Sequence, residues 1–417
     1  MLRNRWWIVV ASFMAQMFGS ASINIFAFSV LLKPIASDLA LGRGVLSSAL
    51  LLSTCMTAVG CLTFGGLFDR GRIRPILLPA IALFALSVAA LALLRPALPI
   101  VYLLFGLLGL FGTGQTPLAY SKVISQWFNK ERGLALGILY AGIGSGGFVV
   151  AQLARFLTNN FGWRNACLGL GIAVFLTAFL PVAIFVREPD SVLSARLRDT
   201  QGLPQSKVIL GLTAPEVLRS WRFWVLGVAI SLIVLTANGS LIHAVALLTD
   251  RGISISMATT ALSAAGLAMI AGGMVSGYCL DKFFGPYVAV FCVAFAFVGI
   301  GLLATGAGGM VPIVGTVLCG FANGAEGNLL PYFVSRYFGL RSFGQIFGYL
   351  FAVFMISVGV GPMLLGLSFD RWHSYVPMLV AFEFALLIAC AIFLRLGPYR
   401  FPAHEQTEDE HAVKTSA

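Results

Sequence analysis

Long apolar runs, interrupted by short clusters of Arg, Lys, Gly and Pro, organise the whole chain. Crossing a ~30 Å hydrocarbon layer takes roughly 20 helical residues at 1.5 Å each. Runs of that kind lie near 6–32, 44–66, 75–94, 98–121, 133–156, 165–186, 222–248, 255–280, 287–305, 311–334, 344–368 and 375–394. Strands of a membrane barrel would alternate over about ten residues. These runs are continuous, so the pattern predicts an all-α integral membrane protein of twelve transmembrane helices.

Composition agrees. The 417 residues are 59% hydrophobic and 10% charged, against about 25% charged in soluble domains; the mean hydropathy is +0.93. The basic start "MLRNRWW" precedes a run too long for a signal-peptide core and without a small-residue cleavage site, so it reads as the first span. With both termini inside, 19 of the 27 Lys and Arg residues fall in cytoplasmic segments, seven fall outside, and Lys122 is left within a span. The positive-inside rule selects this orientation. It also accounts for most of the formal charge of +11 without a nucleic-acid partner. The expected location is the inner or plasma membrane, multi-pass, with both termini cytoplasmic.

The chain repeats itself. "RWWIVV" at Arg5 matches "RFWVLG" at Arg222, "GGLFDR" with Asp69 matches "GYCLDK" with Asp281, and "SQWF" with Trp127 matches "SRYF" with Tyr337. The offsets drift slowly from 217 through 212 to 210, as loop-length differences would produce. The expectation is two pseudo-symmetric six-helix bundles, 1–186 and 222–396. A cytoplasmic linker at 187–221 joins them, and a polar tail at 397–417 follows. Parallel six-span repeats are the architecture of one large transporter fold.

On these residues the chain resembles the major facilitator superfamily. Its loop "GGLFDRGRIRP" is similar to the superfamily signature G-x-x-x-D-R/K-x-G-R-R/K, with one residue missing after Arg70 and Ile73 interrupting the basic run. The resemblance implies that Asp69, Arg70, Arg72 and Arg74 form a conformational latch on the cytoplasmic face. Asp281 and Lys282 are the second-half copy. "WFNKERGLALG", which contains Arg132, "FGWRNA" and "RYFGLRSFGQIFG" resemble the monocarboxylate-transporter-like and oxalate/formate-exchanger-like branch. That branch implies a carrier of small organic acids, often gripping the carboxylate with an arginine in the eighth span. Here 257–280 has no Arg or Lys, and neither does 344–368. An anion must be held differently, or the substrate is neutral or zwitterionic.

One carboxylate interrupts an apolar span, in "FANGAEGNLL". Glu326 lies eleven residues before Tyr337, about 16 Å deep and so near the midplane. An ionised carboxylate there costs about 3 kcal/mol or more, and taking up a proton removes that cost. A group that gains and loses a proton at substrate depth can couple transport to protons. The alternative is a permanently protonated Glu326 bonded to a neighbouring helix. Asn323 shares its face, while Asn328 and Tyr332 share another. Gly320, Gly324 and Gly327 permit either close helix approach or local unwinding.

Further binding candidates are Asn24, Gln115, Tyr120, Lys122, Asn238 and His243. Lys122 lies only about 7–8 Å from the interface and could snorkel to it. The difference in depth argues against a Lys122–Glu326 bridge. "TANGS" before His243 invites a helix break, and His243 could equally be a satisfied core residue. Glu383, in the last span, is expected to be structural or to lie against a neighbouring helix. The seven cysteines form no metal or disulfide pattern. No P-loop, G-x-S-x-G or H-E-x-x-H motif is present. The expectation is a non-enzymatic monomer without cofactors, moving a small organic anion with a proton by alternating access, or else facilitating or exporting a neutral or hydrophobic compound.

Overall fold

A computed structural model describes residues 5–70, 73–128, 132–187, 211–339 and 342–401. The arginine-rich interruption and the polar tail therefore lie largely outside the described residues. The same holds for Arg72 and for the side chains of Asp69, Arg70, Lys122, Arg132 and Asp281. Helices dominate: α1 Trp6–Met17, α2 Phe28–Leu39, α3 Arg43–Arg70, α4 Ile73–Ala90, α5 Leu98–Gly112, α6 Pro117–Trp127, α7 Arg132–Val174 and α8 Leu180–Phe185. In the second half follow α9 Trp221–Ile242, α10 Ala244–Asp250, α11 Ile255–Lys282, α12 Gly285–Ala304, α13 Met310–Phe338, α14 Phe343–Trp372 and α15 Val376–Arg395.

Ten stretches among the described residues are long and apolar enough to cross a membrane. Gly137–Phe185, 49 residues long, has the length of two crossings, and its backbone breaks at Gly162 (φ 79°, ψ 162°). A positive φ of that kind is open to glycine and strained for other residues. The 29-residue α13 falls outside the ten, because Asn323 and Glu326 lower its hydropathy.

Several apolar runs that read as single spans are broken. The first leaves the helix at Gly19, which is extended (φ −73°, ψ 178°), and then passes through a π-helical turn, Ile23–Ala27, into α2. The fourth leaves the helix through a 3-10 turn, Thr113–Gln115, and Thr116 is extended (φ −85°, ψ 157°) before Pro117 starts α6. "TANGS", expected to break, stays helical; the interruption comes at His243 (φ −90°, ψ 1°). Tyr337, expected at the lipid interface, is buried, and its hydroxyl donates to the Gly397 carbonyl.

α3 and α11 are both 28 residues long and start 212 positions apart, the same offset as Asp69 to Asp281. Across the two halves of the chain, α3 packs on α14 and α7 packs on α11. The repeat carries α3 onto α11 and α7 onto α14, so it exchanges these two contacts. Glycines make the close packing possible. A Cβ on Gly147 would lie 2.6 Å from Gly266 Cα, and one on Gly359 would lie 2.6 Å from Leu51 Cα.

Candidate functional site

Glu326 sits within α13, 4% exposed. Its Oε1 accepts a hydrogen bond from Asn238 Nδ2 of α9 at 3.2 Å, and its Oε2 is buried without a partner. Asn323, one turn earlier, is also buried, and its Nδ2 is unpartnered. A buried carboxylate held by one neutral donor is a poor resting place for a full charge and a good one for a proton. α13 stays helical through its glycines, and Gly320 and Gly324 serve close approach. A Cβ on Gly324 would stand 1.8 Å from the Met269 carbonyl oxygen, and one on Gly320 would stand 2.3 Å from that of Ala265. Gly327 faces open space.

The other α13 candidates are engaged elsewhere. Asn328 Nδ2 donates to the Gly273 carbonyl (2.7 Å) and to Ser276 Oγ (3.0 Å), clasping α13 to α11. The Tyr332 hydroxyl meets that of Tyr399 at 3.3 Å, and its ring lies under Arg336. In the first half, the fully buried Tyr120 donates to Gln115 Oε1 at 3.1 Å. Gln115 Nε2 is buried without a partner. Asn24 donates to Ser20 Oγ at 3.4 Å and lines a small cavity whose other walls are apolar, among them Phe28, Phe105 and Leu170. Glu326, Asn323 and Asn238 do not line that cavity.

His243 belongs to a different cluster. Its Nε2 lies 3.1 Å from Ser47 Oγ and 3.0 Å from the Pro362 carbonyl, and its Nδ1 lies 3.3 Å from the Tyr375 hydroxyl. A carbonyl only accepts, so the arrangement fits the tautomer with hydrogen on Nε2 and Nδ1 accepting from Tyr375. That hydroxyl accepts in turn from Arg43 Nη1 (2.5 Å). Arg43 also forks onto Asp250, at 2.5 and 3.2 Å, and stacks over Phe369 at 3.7 Å. Lys33 Nζ reaches Asp250 (2.5 Å) and Thr249 Oγ1 (2.7 Å). Asp370 accepts from the backbone N–H groups of Arg43 (3.0 Å) and Gly44 (2.7 Å), capping α3 from the other half of the chain. A Cβ on Gly42 would stand 2.5 Å from Asp370 Oδ2, so glycine admits the carboxylate.

These contacts join the two halves at the end of the molecule formed by turns 40–42, 251–254 and 373–375. Burial pushes the Asp250 carboxyl up, but hydrogen bonds from Arg43 and Lys33 outweigh that and hold it below the usual carboxylate range. Of the residues proposed for the basic latch, the described Arg74 bonds the Ala183 carbonyl, and Lys282 donates to the Tyr278 hydroxyl at 2.5 Å. Glu383 lies against α12, its Oε1 3.4 Å from where a Gly301 Cβ would stand, and both its oxygens are buried without partners.

Sequence reasoning missed Gln16, Ser47, Arg43, Lys33, Asp250, Asp370 and Tyr375. Gln16 carried a signal, an amide in the middle of an apolar run. The charged residues read as loop charges, since only the packing of distant helices brings them together.

Comparison with known proteins shows the family. The chain is 29% identical over 329 residues to monocarboxylate transporter 13 of Rattus norvegicus, covering 78% of this chain and 73% of the relative. It is 23% identical over 406 residues to a gallate transporter of Pseudomonas putida, covering 87% and 88%. Among solved structures it is similar to a bacterial homologue of the human lysosomal transporter Spinster, in an inward-facing, unoccupied conformation. The TM-score there is 0.69 at 17% identity, over 94% of this chain and 96% of that one. The sequence model of the Major Facilitator Superfamily matches residues 8–362. With helical spans throughout and that match across most of its length, the chain belongs to the Major Facilitator Superfamily and is a multi-pass membrane transporter, not an enzyme.

Proposed function

We propose that the protein is a proton-coupled carrier of a small organic acid, working by alternating access between two six-helix bundles of twelve crossings in all. Counting Gly137–Phe185 as two crossings and adding α13 brings the ten apolar stretches to twelve. The exchanged α3–α14 and α7–α11 contacts support a pseudo-two-fold axis between bundles 1–186 and 222–396. The 19-to-7 charge asymmetry supports cytoplasmic termini. On that orientation the Arg43–Asp250–Tyr375–His243 cluster is an outer latch, and this form is closed to the outside.

The observation that carries the coupling is the Glu326 carboxyl, buried near the middle of the 29-residue α13 with one neutral donor and one unpartnered oxygen. Proton uptake switches off its repulsion of an anion; release after the acid departs resets the carrier. The relatives named for monocarboxylates and gallate support an acid as cargo. A second reading, facilitated movement of a neutral compound, is favoured by the absence of Arg and Lys from 257–280 and 344–368.

Uptake of radiolabelled lactate, pyruvate and gallate into proteoliposomes, with and without an imposed pH gradient, separates the two. An inwardly directed proton gradient should drive accumulation of at least one acid. Uptake of none of them, or uptake indifferent to the gradient, contradicts proton-coupled acid transport.

A further inference from the structure

The two interrupted helices of the first half meet at one spot. The Gln115 carbonyl oxygen and Gln16 Oε1 each lie 3.0 Å from the point where a Cβ on Gly19 would stand. The break after α1 and the break before α6 are therefore in contact. Ser22 Oγ fastens the first break by donating to the Gln16 carbonyl at 3.0 Å. A Cβ on Gly142 would approach the Phe13 carbonyl oxygen to 2.6 Å and Gln16 Cβ to 3.0 Å, so α7 closes over the same place. Gln16 is ten residues from Trp6, about 15 Å along α1, and α6 carries the chain about 15 Å from Trp127 to Pro117, two residues after Gln115.

Both glutamines are fully buried. Gln16 Oε1, Gln16 Nε2 and Gln115 Nε2 have no partner, although buried amides almost always do. The 11-residue α6 begins here with Pro117 in its first turn, turning the positive end of its dipole towards the break. Two amide donors, one acceptor and a helix N-terminus at mid-membrane suit a carboxyl group. Discontinuous membrane helices are tolerated where they line such a site.

We propose that this double break holds the carboxyl group of the transported acid. Its oxygens accept from Gln16 Nε2 and Gln115 Nε2 and face the start of α6, while Gln16 Oε1 accepts from the hydroxyl of a hydroxy acid or of a protonated carboxyl. The arrangement rests on the acid-carrier reading above and accounts for an acid site without an eighth-span arginine. Preorganised amide donors and a helix dipole replace the salt bridge.

The test uses wild type and Gln16→Met, Gln115→Met and the double variant, purified and reconstituted. Equilibrium binding and counterflow of lactate, pyruvate and gallate are measured without a pH gradient, together with thermal unfolding without substrate. Each single variant should weaken binding of the transported acid about tenfold and the double about a hundredfold, as loss of hydrogen bonds to a charged group does. The preference for lactate over lactamide should disappear. The unfolding temperature of Gln16→Met should hold or rise, because an unpaired amide is replaced by an apolar side chain of similar length, whereas Gln115→Met should lower it by leaving the buried Tyr120 hydroxyl without its acceptor. If the wild type carries an acid and the variants bind it with wild-type affinity and preference, the site is wrong and the acid-carrier reading stands. Loss of affinity with loss of stability and an unchanged preference also overturns the site. Failure of the wild type to carry any of the three acids overturns both.

Discussion

Arg43 and Asp250, 207 positions apart, share two hydrogen bonds at 2.5 and 3.2 Å and pin the first half of the chain to the second. Lys33 adds a second cation to the same carboxylate. The pair is partly buried, with side-chain exposures of 12% and 25%. It therefore stands between exposed pairs, worth about 0–1 kcal/mol, and buried ones, whose disruption costs about 3–5 kcal/mol.

Breaking this pair should favour the form open at this end. Arg43→Ala or Asp250→Asn should shift the equilibrium by about 1–3 kcal/mol, roughly 5–150-fold in population. Spin labels at the exposed Ser37 and Thr305 report that end. Their distance distribution should lengthen in either variant, and an unchanged distribution would remove the latch from the mechanism.

The latch should ignore physiological pH. Asp250 is held below the ordinary carboxylate range, so its contribution is fully present above that range and fades only as pH falls through the depressed value. Between about pH 5 and 8 the Ser37–Thr305 distances should not move. A transition inside that window would mean that another titrating group governs this end.

Much of the fold was legible because lipid imposes length and continuity on each span. The 212-residue offset located α3 and α11 before their packing was known. What the sequence could not show was contact between distant segments. Asn238 and Glu326 were each recognisable as polar residues in apolar runs, but 88 positions separate them and nothing local pairs them. The break at Gly19 was hidden because Phe18–Gly19 interrupts the hydrogen bonding of a run whose hydrophobicity never changes. Asn238–Ser240 misled in the other direction: turn-forming residues stay helical when packing supplies their partners, here the Val234 carbonyl and Glu326 for Asn238.

The α11–α13 contact should be intolerant at Gly324 and tolerant at Gly327. A side chain at Gly324 must enter backbone of α11, whereas none lies within 4 Å at Gly327. Gly324→Val should destabilise by roughly 3 kcal/mol or more, with loss of monodisperse protein in detergent. Gly327→Ala should unfold within about 0.5 kcal/mol of wild type. Equal behaviour of the two would refute the packing described.

If Glu326 carries the coupled proton, as proposed, Glu326→Gln should separate substrate exchange from proton coupling. An amide keeps the shape and can still accept from Asn238, but it cannot exchange a proton with solution. Gradient-driven accumulation and counterflow of the same acid should be measured side by side in proteoliposomes. Glu326→Gln should abolish accumulation driven by a pH gradient, while counterflow persists within a few-fold of wild type and no longer weakens as pH rises. Concentrative uptake by Glu326→Gln with the wild-type pH dependence would contradict the proposal.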